Sequence, residues 1–189
     1  MIGSDLVEVK AFQNWDKQID DVTRFKVLNQ FNSEAVLDKE TGLVWEKSPQ
    51  SALRSWPLAA ADCYDKKVGG RMGWRLPAIE ELLSLVDPSA TASPALPPGH
   101  PFTNVQFDDV GDVTVAYWSA TTLATFDTFT SSGVPPFHTH AWQVRFNATV
   151  DGNPVDIGPA VELKSASFNL WCVRGGKGLD GVGTPPPNP

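Results

Sequence analysis

The sequence predicts a single α+β domain, and three observations carry that reading. Strand-like segments lie toward both ends of the chain, two helix-like segments lie between them, and the stretches that connect them are rich in turn residues. A chain of 189 residues can bury one core without help from metals, while its 15 glycines and 16 prolines call for many turns and long loops.

Residues 1–24 are polar, with Leu6, Val7, Val9 and Phe12 only loosely strand-like, and read as an N-terminal arm. The β pattern begins at Phe25-Lys26-Val27 and continues through Ala35–Asp38, a Lys39-Glu40-Thr41-Gly42 turn, and Leu43–Glu46, which together read as a hairpin. Ser55 stands where it can cap a helix that starts at Trp56-Pro57, places Trp56, Ala59, Ala60 and Cys63 on one face, and ends before Gly69-Gly70. A second helix is expected after Leu76, with Pro77 in its first turn, Glu80 and Glu81 near its positive end, and Ile79, Leu82, Leu83 and Val86 at helical spacing.

Prolines at 88, 94, 97, 98 and 101 make residues 89–114 a long surface loop. Three strands are expected beyond it, at Val115–Ala120, Ala141–Phe146 and Leu170–Arg174, with Asp151-Gly152 offering a turn. Residues 176–189 read as a Gly/Pro-rich tail. The terminal strands enclose the helices and are therefore expected to pair.

Charge and composition exclude several function classes. A net charge of −7 disfavours nucleic acid and other polyanions, whose binders gain affinity from clustered Lys and Arg. No apolar run approaches the roughly 18 residues of a membrane span, and the first ten residues lack a secretory pattern, so the expectation is a cytosolic chain or one whose signal was removed. No GxSxG, P-loop or supported Ser/His/Asp order is present. Cys63 and Cys172 have no zinc-like spacing and read as a disulfide or as two buried thiols.

Six landmarks follow one another: Thr41–Trp45, Ala59–Cys63, Gly73-Trp74-Arg75-Leu76-Pro77 with Glu80-Glu81-Leu82, Tyr117–Thr121, Ala141–Val144 and Cys172–Arg174. In this order they resemble the Lcl C-terminal domain family, named for a collagen-like bacterial adhesin, and the resemblance covers residues 25–175. It implies a C-type-lectin-like fold in which two helices pack on antiparallel sheets and a long excursion supplies the binding surface. It also implies secretion or cell-surface display, and a Cys63–Cys172 bridge that pins the first helix to the last strand. The tripeptide and the Trp-Asn-Asp triplet with which calcium-dependent C-type lectins hold sugars are absent, and Asp108, Asp109 and Asp112 do not fit an EF-hand loop. Formylglycine-generating enzymes look similar in fold class, but their reactive cysteine pair near the C-terminus has no counterpart here.

Within that frame Trp45, Trp74, Trp118, Trp142 and Trp171 are expected in the core rather than on a sugar-stacking platform. Arg75, at a helix entrance, is expected to fix backbone carbonyls rather than a ligand carboxylate. His138 and His140, with His100, read as solvated loop residues rather than metal ligands, and no metal or cofactor is expected. Recognition is expected from loops at 89–114, 121–140 and 153–168, where Phe126, Phe129, Phe137, His138, His140 and Phe168 gather among small polar residues.

The resulting expectation is an extracytoplasmic module that binds a protein or glycan, in a special version a retroelement-diversified binding protein. The alternatives are a structural subunit of a surface filament, joined to neighbouring copies through residues 1–24 or the tail, and an enzyme of unknown type.

Overall fold

The computed structural model describes residues 21–107, 115–123, 139–148 and 158–175. The N-terminal arm before Asp21, the tail after Gly175, Asp108–Asp112 and the Asp151-Gly152 turn lie outside the described residues. The architecture is mixed α and β, with few helices and antiparallel sheets.

A single helical turn, α1 (Asp21–Arg24), leads into β1 (Phe25–Val27); a 3₁₀ turn at Asn29–Phe31 then precedes the hairpin β2 (Ala35–Asp38) and β3 (Val44–Glu46). The chain continues through β4 (Arg54–Ser55), α2 (Trp56–Asp65), α3 (Ile79–Leu83), β5 (Tyr117–Thr122), β6 (His140–Arg145), β7 (Gly158–Leu163), β8 (Ser167–Phe168) and β9 (Val173–Arg174). Three sheets result, in the orders β1-β2-β3-β9, β4-β8 and β5-β6-β7. The terminal strands pair as the sequence predicts, Trp45 standing opposite Val173 and Val44 opposite Arg174.

Period-2 alternation explains how the terminal sheet serves two cores. Ala35, Leu37, Val44 and Cys172 face one cluster, where Ala59 and Cys63 of α2 meet Trp74, Leu76, Trp118 and Phe168. Val36, Trp45 and Val173 face the other, where Ile79 and Leu82 of α3 meet Tyr117, Val144, Phe146 and Trp171. The Cys63–Cys172 disulfide joins α2 to the residue before β9, with Cα atoms 5.5 Å apart.

The β2–β3 turn is organised by one buried carboxylate. Asp38 accepts the backbone N–H of Glu40 and the hydroxyl of Thr41, and Gly42 takes the positive φ of 74° that the reversal requires. The Arg24 guanidinium grips the same carboxylate through two bonds of 3.0 and 2.8 Å and donates to the Ser84 carbonyl, tying α1 to the end of α3. At the turn after α2, a Cβ on Gly69 would lie 2.4 Å from the Phe31 carbonyl oxygen, so only glycine admits the close approach.

Several boundaries depart from the sequence reading for identifiable reasons. The second helix starts at Ile79 rather than Pro77, because the Pro77 carbonyl accepts from Ala120 of β5 at 2.7 Å and holds that residue outside the helix. Ser55 occupies the N-cap of α2 without a side-chain bond, its backbone being extended in β4. The excursion expected over 89–114 as a surface loop contributes Ala95, Leu96, Phe102 and Val105 to the core, Phe102 packing edge-on to Phe25 and Trp171 at 5.1 and 5.0 Å. The loop expected at 153–168 contains β7 and β8, since Val161 and Leu163 alternate with Glu162 and the strand pairs with β6 along its whole length.

Candidate functional site

The strands of the β5-β6-β7 sheet are joined through residues 124–138, inside the 121–140 loop expected to carry recognition, and 149–157, which overlaps the expected 153–168 loop at 153–157. The scaffold fixes this sheet at several points. The indole N–H of Trp118 donates to the Arg54 carbonyl, that of Trp56 to the Ser119 carbonyl, and Thr121 accepts from the Ile79 amide at the start of α3. The Ser119 hydroxyl donates to the Trp142 carbonyl across β5 and β6, and the ladder is irregular between Trp118 and Thr122. An irregularity of this kind re-aims side chains at the end of a strand.

On one face of the sheet, His140 stands opposite Leu163 and Trp142 opposite Val161. Cross-strand neighbours of this kind have Cβ atoms about 5 Å apart and repeat about every 7 Å along the strand, so the four side chains form one small patch. Leu163 is 48% exposed, and Trp142 is only partly buried against the core. Trp56, Trp74, Trp118 and Trp171 each donate their indole N–H to a backbone carbonyl, whereas those of Trp45, fully buried, and Trp142, partly exposed, meet no acceptor among the described residues. His140 contacts the Thr139 hydroxyl through Nδ1 at 2.9 Å, which leaves Nε2 for another partner.

The opposite face of β6 carries two enclosed polar side chains, Gln143 and Arg145, and Asn147, just beyond the strand, is also buried. Gln143 is fully buried between Trp118 and Ala160 on the flanking strands, and neither atom of its amide has a hydrogen-bond partner. A buried amide without partners costs on the order of 1–3 kcal/mol, as does the Trp45 indole N–H, which is likewise buried with no partner among the described residues.

The strong ion pairs outside this sheet are spent on structure. Arg75 makes two bonds of 2.7 Å to Glu81 and also donates to the carbonyls of Leu76 and Gly175, fixing the entrance of α3 to the end of β9 as its sequence position predicts. Glu46 accepts the Cys172 amide and lies 2.7 Å from the Lys66 ammonium. Burial nevertheless raises its pKa above the ordinary carboxylate value, with Lys66 and the Cys172 amide opposing the shift.

Among the residues expected to form the site, Phe126, Phe129, Phe137 and His138 lie outside the described residues. His140 opens β6 on the patch, but Phe168 does not join it. Phe168 is buried in β8, its ring edge-on to Trp118 at 4.9 Å, because Ser167-Phe168 pairs with Arg54-Ser55 and turns the ring into the core. Trp45, Trp74, Trp118 and Trp171 are fully enclosed as expected, whereas Trp142 is the exception. Gln143 is legible only as part of the Ala141–Phe146 strand and Leu163 only as part of the 153–168 loop, and nothing in the sequence marks one as buried without partners or the other as half-exposed on a strand. No group of three His, Cys, Asp or Glu that could hold a metal occurs among the described residues, and no helix there is long and apolar enough to cross a membrane.

Compared with known families, the chain matches the model of the Lcl C-terminal domain over residues 34–174. No curated protein and no solved structure matches it.

Proposed function

The chain belongs to the Lcl C-terminal domain family, and from that premise we propose that it is an extracytoplasmic binding or adhesion module of C-type-lectin-like fold that recognises a protein or a glycan. The observation that carries the proposal is Trp142: an indole left partly exposed, with no acceptor for its N–H among the described residues, on a strand flanked by the two connecting segments. Such a side chain offers an apolar face and a hydrogen-bond donor together, which suits interfaces with one dry and one wet side. The disulfide supports an oxidising compartment outside the cytosol.

Glycan and protein arrays probed with the purified domain, followed by Trp142→Ala and His140→Ala, test the reading. Retained folding with lost binding supports it. Full binding by both variants moves recognition away from this sheet. Sibling sequences that vary only within 121–168 would identify the retroelement-diversified form. A second reading, a subunit of a surface assembly, is favoured by the outer edge of β7, which has no strand beside it among the described residues.

A further inference from the structure

The arginines of the chain are not used alike. Arg24 is paired with Asp38, Arg54 with Asp62 and Arg75 with Glu81, and Arg145 is enclosed in β6. Arg71 and Arg174 make no ion pair among the described residues, yet both guanidinium groups are held over one ring, that of Phe31, at 4.9 and 5.8 Å from its centroid. Phe31 is buried and packs edge-on to Trp74, so the core fixes that ring. Arg71 is tied further by its Nε to the Gln30 carbonyl at 3.3 Å, and Arg174 Nε stands 3.8 Å from the position a Cβ of Gly73 would take. Two cations on one ring lie no farther apart than their two distances to its centroid together, which is close to the Debye length of about 10 Å at 0.1 M salt. Each therefore raises the free energy of the other's charge, a cost that an anion between them relieves.

The turn that carries Arg71 adds donors. Val68 and Arg71 pair across Gly69-Gly70, both at positive φ, and the next two amides, of Met72 and Gly73, meet no acceptor among the described residues. Both residues are exposed, Met72 at 54%. Guanidinium forks and free amides suit carboxylates, which they meet through charge-assisted N–H···O bonds. Met72 sets an unbranched apolar chain beside them, a surface for the hydrocarbon of a peptide. A carboxylate of the chain itself also touches this turn: Glu34 accepts the Gly69 amide at 2.7 Å.

We propose that Arg71, the Met72 and Gly73 amides and Arg174 form a binding site for an acidic peptide segment of a protein partner, with one carboxylate taken by each guanidinium group. Acidic side chains two residues apart in an extended segment stand about 7 Å apart on one face, within the span of the pair. Screening leaves contact with a short segment to these local charges rather than to the net charge of −7. The site shares no residue with the Trp142 patch, so it stands or falls independently of that reading.

Titration of the isotope-labelled protein with the peptide Gly-Glu-Leu-Glu-Gly, followed by nuclear magnetic resonance, tests the site. The amides of Met72 and Gly73 and the side-chain Nε–H groups of Arg71 and Arg174 are expected to shift, and the Gly-Gln-Leu-Gln-Gly counterpart is expected to leave them unmoved. Arg71→Gln and Arg174→Gln, which keep part of each stem on Phe31, should each weaken binding about fivefold, the size of an exposed ion pair. Glu34→Gln keeps an acceptor for the Gly69 amide while removing a negative charge, and should tighten binding. Denaturant unfolding of each variant controls for folding. A wild type that does not bind the peptide, while the arginine variants lose stability, makes the stack on Phe31 purely structural and overturns the proposal. Equal shifts with the glutamine peptide, or binding that ignores both arginine variants, overturn it as well. A wild type that binds a sulfated disaccharide at these residues but not the peptide assigns the site to acidic glycans and overturns the peptide partner.

Discussion

The terminal sheet and the β5-β6-β7 sheet are both antiparallel and both contribute to the same cores, yet they differ in how charges are paired and in what they leave exposed. In and around the terminal sheet, ion pairs secure the fold: buried Arg24 with buried Asp38, half-buried Lys66 with buried Glu46, and half-buried Arg75 with Glu81 beside β9. A disulfide then closes the sheet on α2. Each sheet holds a buried side chain without a hydrogen-bond partner among the described residues, the Trp45 indole N–H in the first and the Gln143 amide in the second, but the second also leaves an edge strand, β7, with no strand beside it among those residues and an indole, that of Trp142, partly exposed. A group at zero exposure is reachable by no partner, so in this sheet the partly exposed Trp142 and half-exposed Leu163 are where one is to be sought.

The largest effects are expected where the two sheets share a core. Trp45→Ala in β3 and Trp118→Ala in β5 each remove a fully enclosed ring, and Trp118 also loses its bond to the Arg54 carbonyl. Each should cost about 3–5 kcal/mol in denaturant unfolding. If Trp118→Ala were mild while Trp45→Ala unfolded the protein, the sheets would be energetically separate and the contrast would be one of domains rather than of roles.

The disulfide belongs to the terminal sheet and should come next. Its ends are 109 residues apart, so closing it restricts the unfolded chain by up to about 5 kcal/mol on the loop-entropy account. The Cys63→Ser/Cys172→Ser double variant should unfold at lower denaturant by an amount of that order. Two titratable thiols in denatured, non-reduced wild type would remove the bridge from the account.

Glu46 sharpens the contrast through pH. Its folded pKa is raised above 4.5 by burial, so the stability it contributes is fully present below the unfolded value and is lost as pH rises through the folded one. The stability of wild type relative to Glu46→Gln should therefore fall as pH climbs past that window. A difference that grows with pH would mean that the Lys66 pair and the Cys172 amide outweigh burial.

How much of this was legible beforehand follows from the same contrast. The hairpin around Asp38, the face of α2 and the pairing of terminal strands were readable because local turn chemistry and periodicity agree with the tertiary structure there. β7 was taken for loop because Gly158-Pro159 reads as a break and only Val161, Glu162 and Leu163 alternate, too short a run to stand out. Phe168 was misplaced because pairing of the two-residue strands β4 and β8, more than a hundred residues apart, decides which way its ring turns. Trp142 sits in a family landmark and in a good strand, but whether a strand residue is enclosed depends on what covers its face. That is a property of neighbours from elsewhere in the chain, as is the absence of partners around Gln143.

The smallest stability effect is expected at Trp142, and that smallness is the point. The ring is already partly in solvent and its N–H has no acceptor among the described residues to lose, so truncation forfeits only part of the apolar burial that Trp118 forfeits whole. Trp142→Ala should cost about 1 kcal/mol, several-fold less than Trp118→Ala one strand away, while Trp142→Phe should keep the packing and remove only the donor. If recognition uses the indole as both a face and a donor, binding falls in the alanine variant and falls less in the phenylalanine variant, with unfolding curves near wild type in both. If Trp142→Ala instead destabilises as much as Trp118→Ala, the residue is core, its unmet N–H is a tolerated cost, and the partner-facing side of this sheet must be the β7 edge alone.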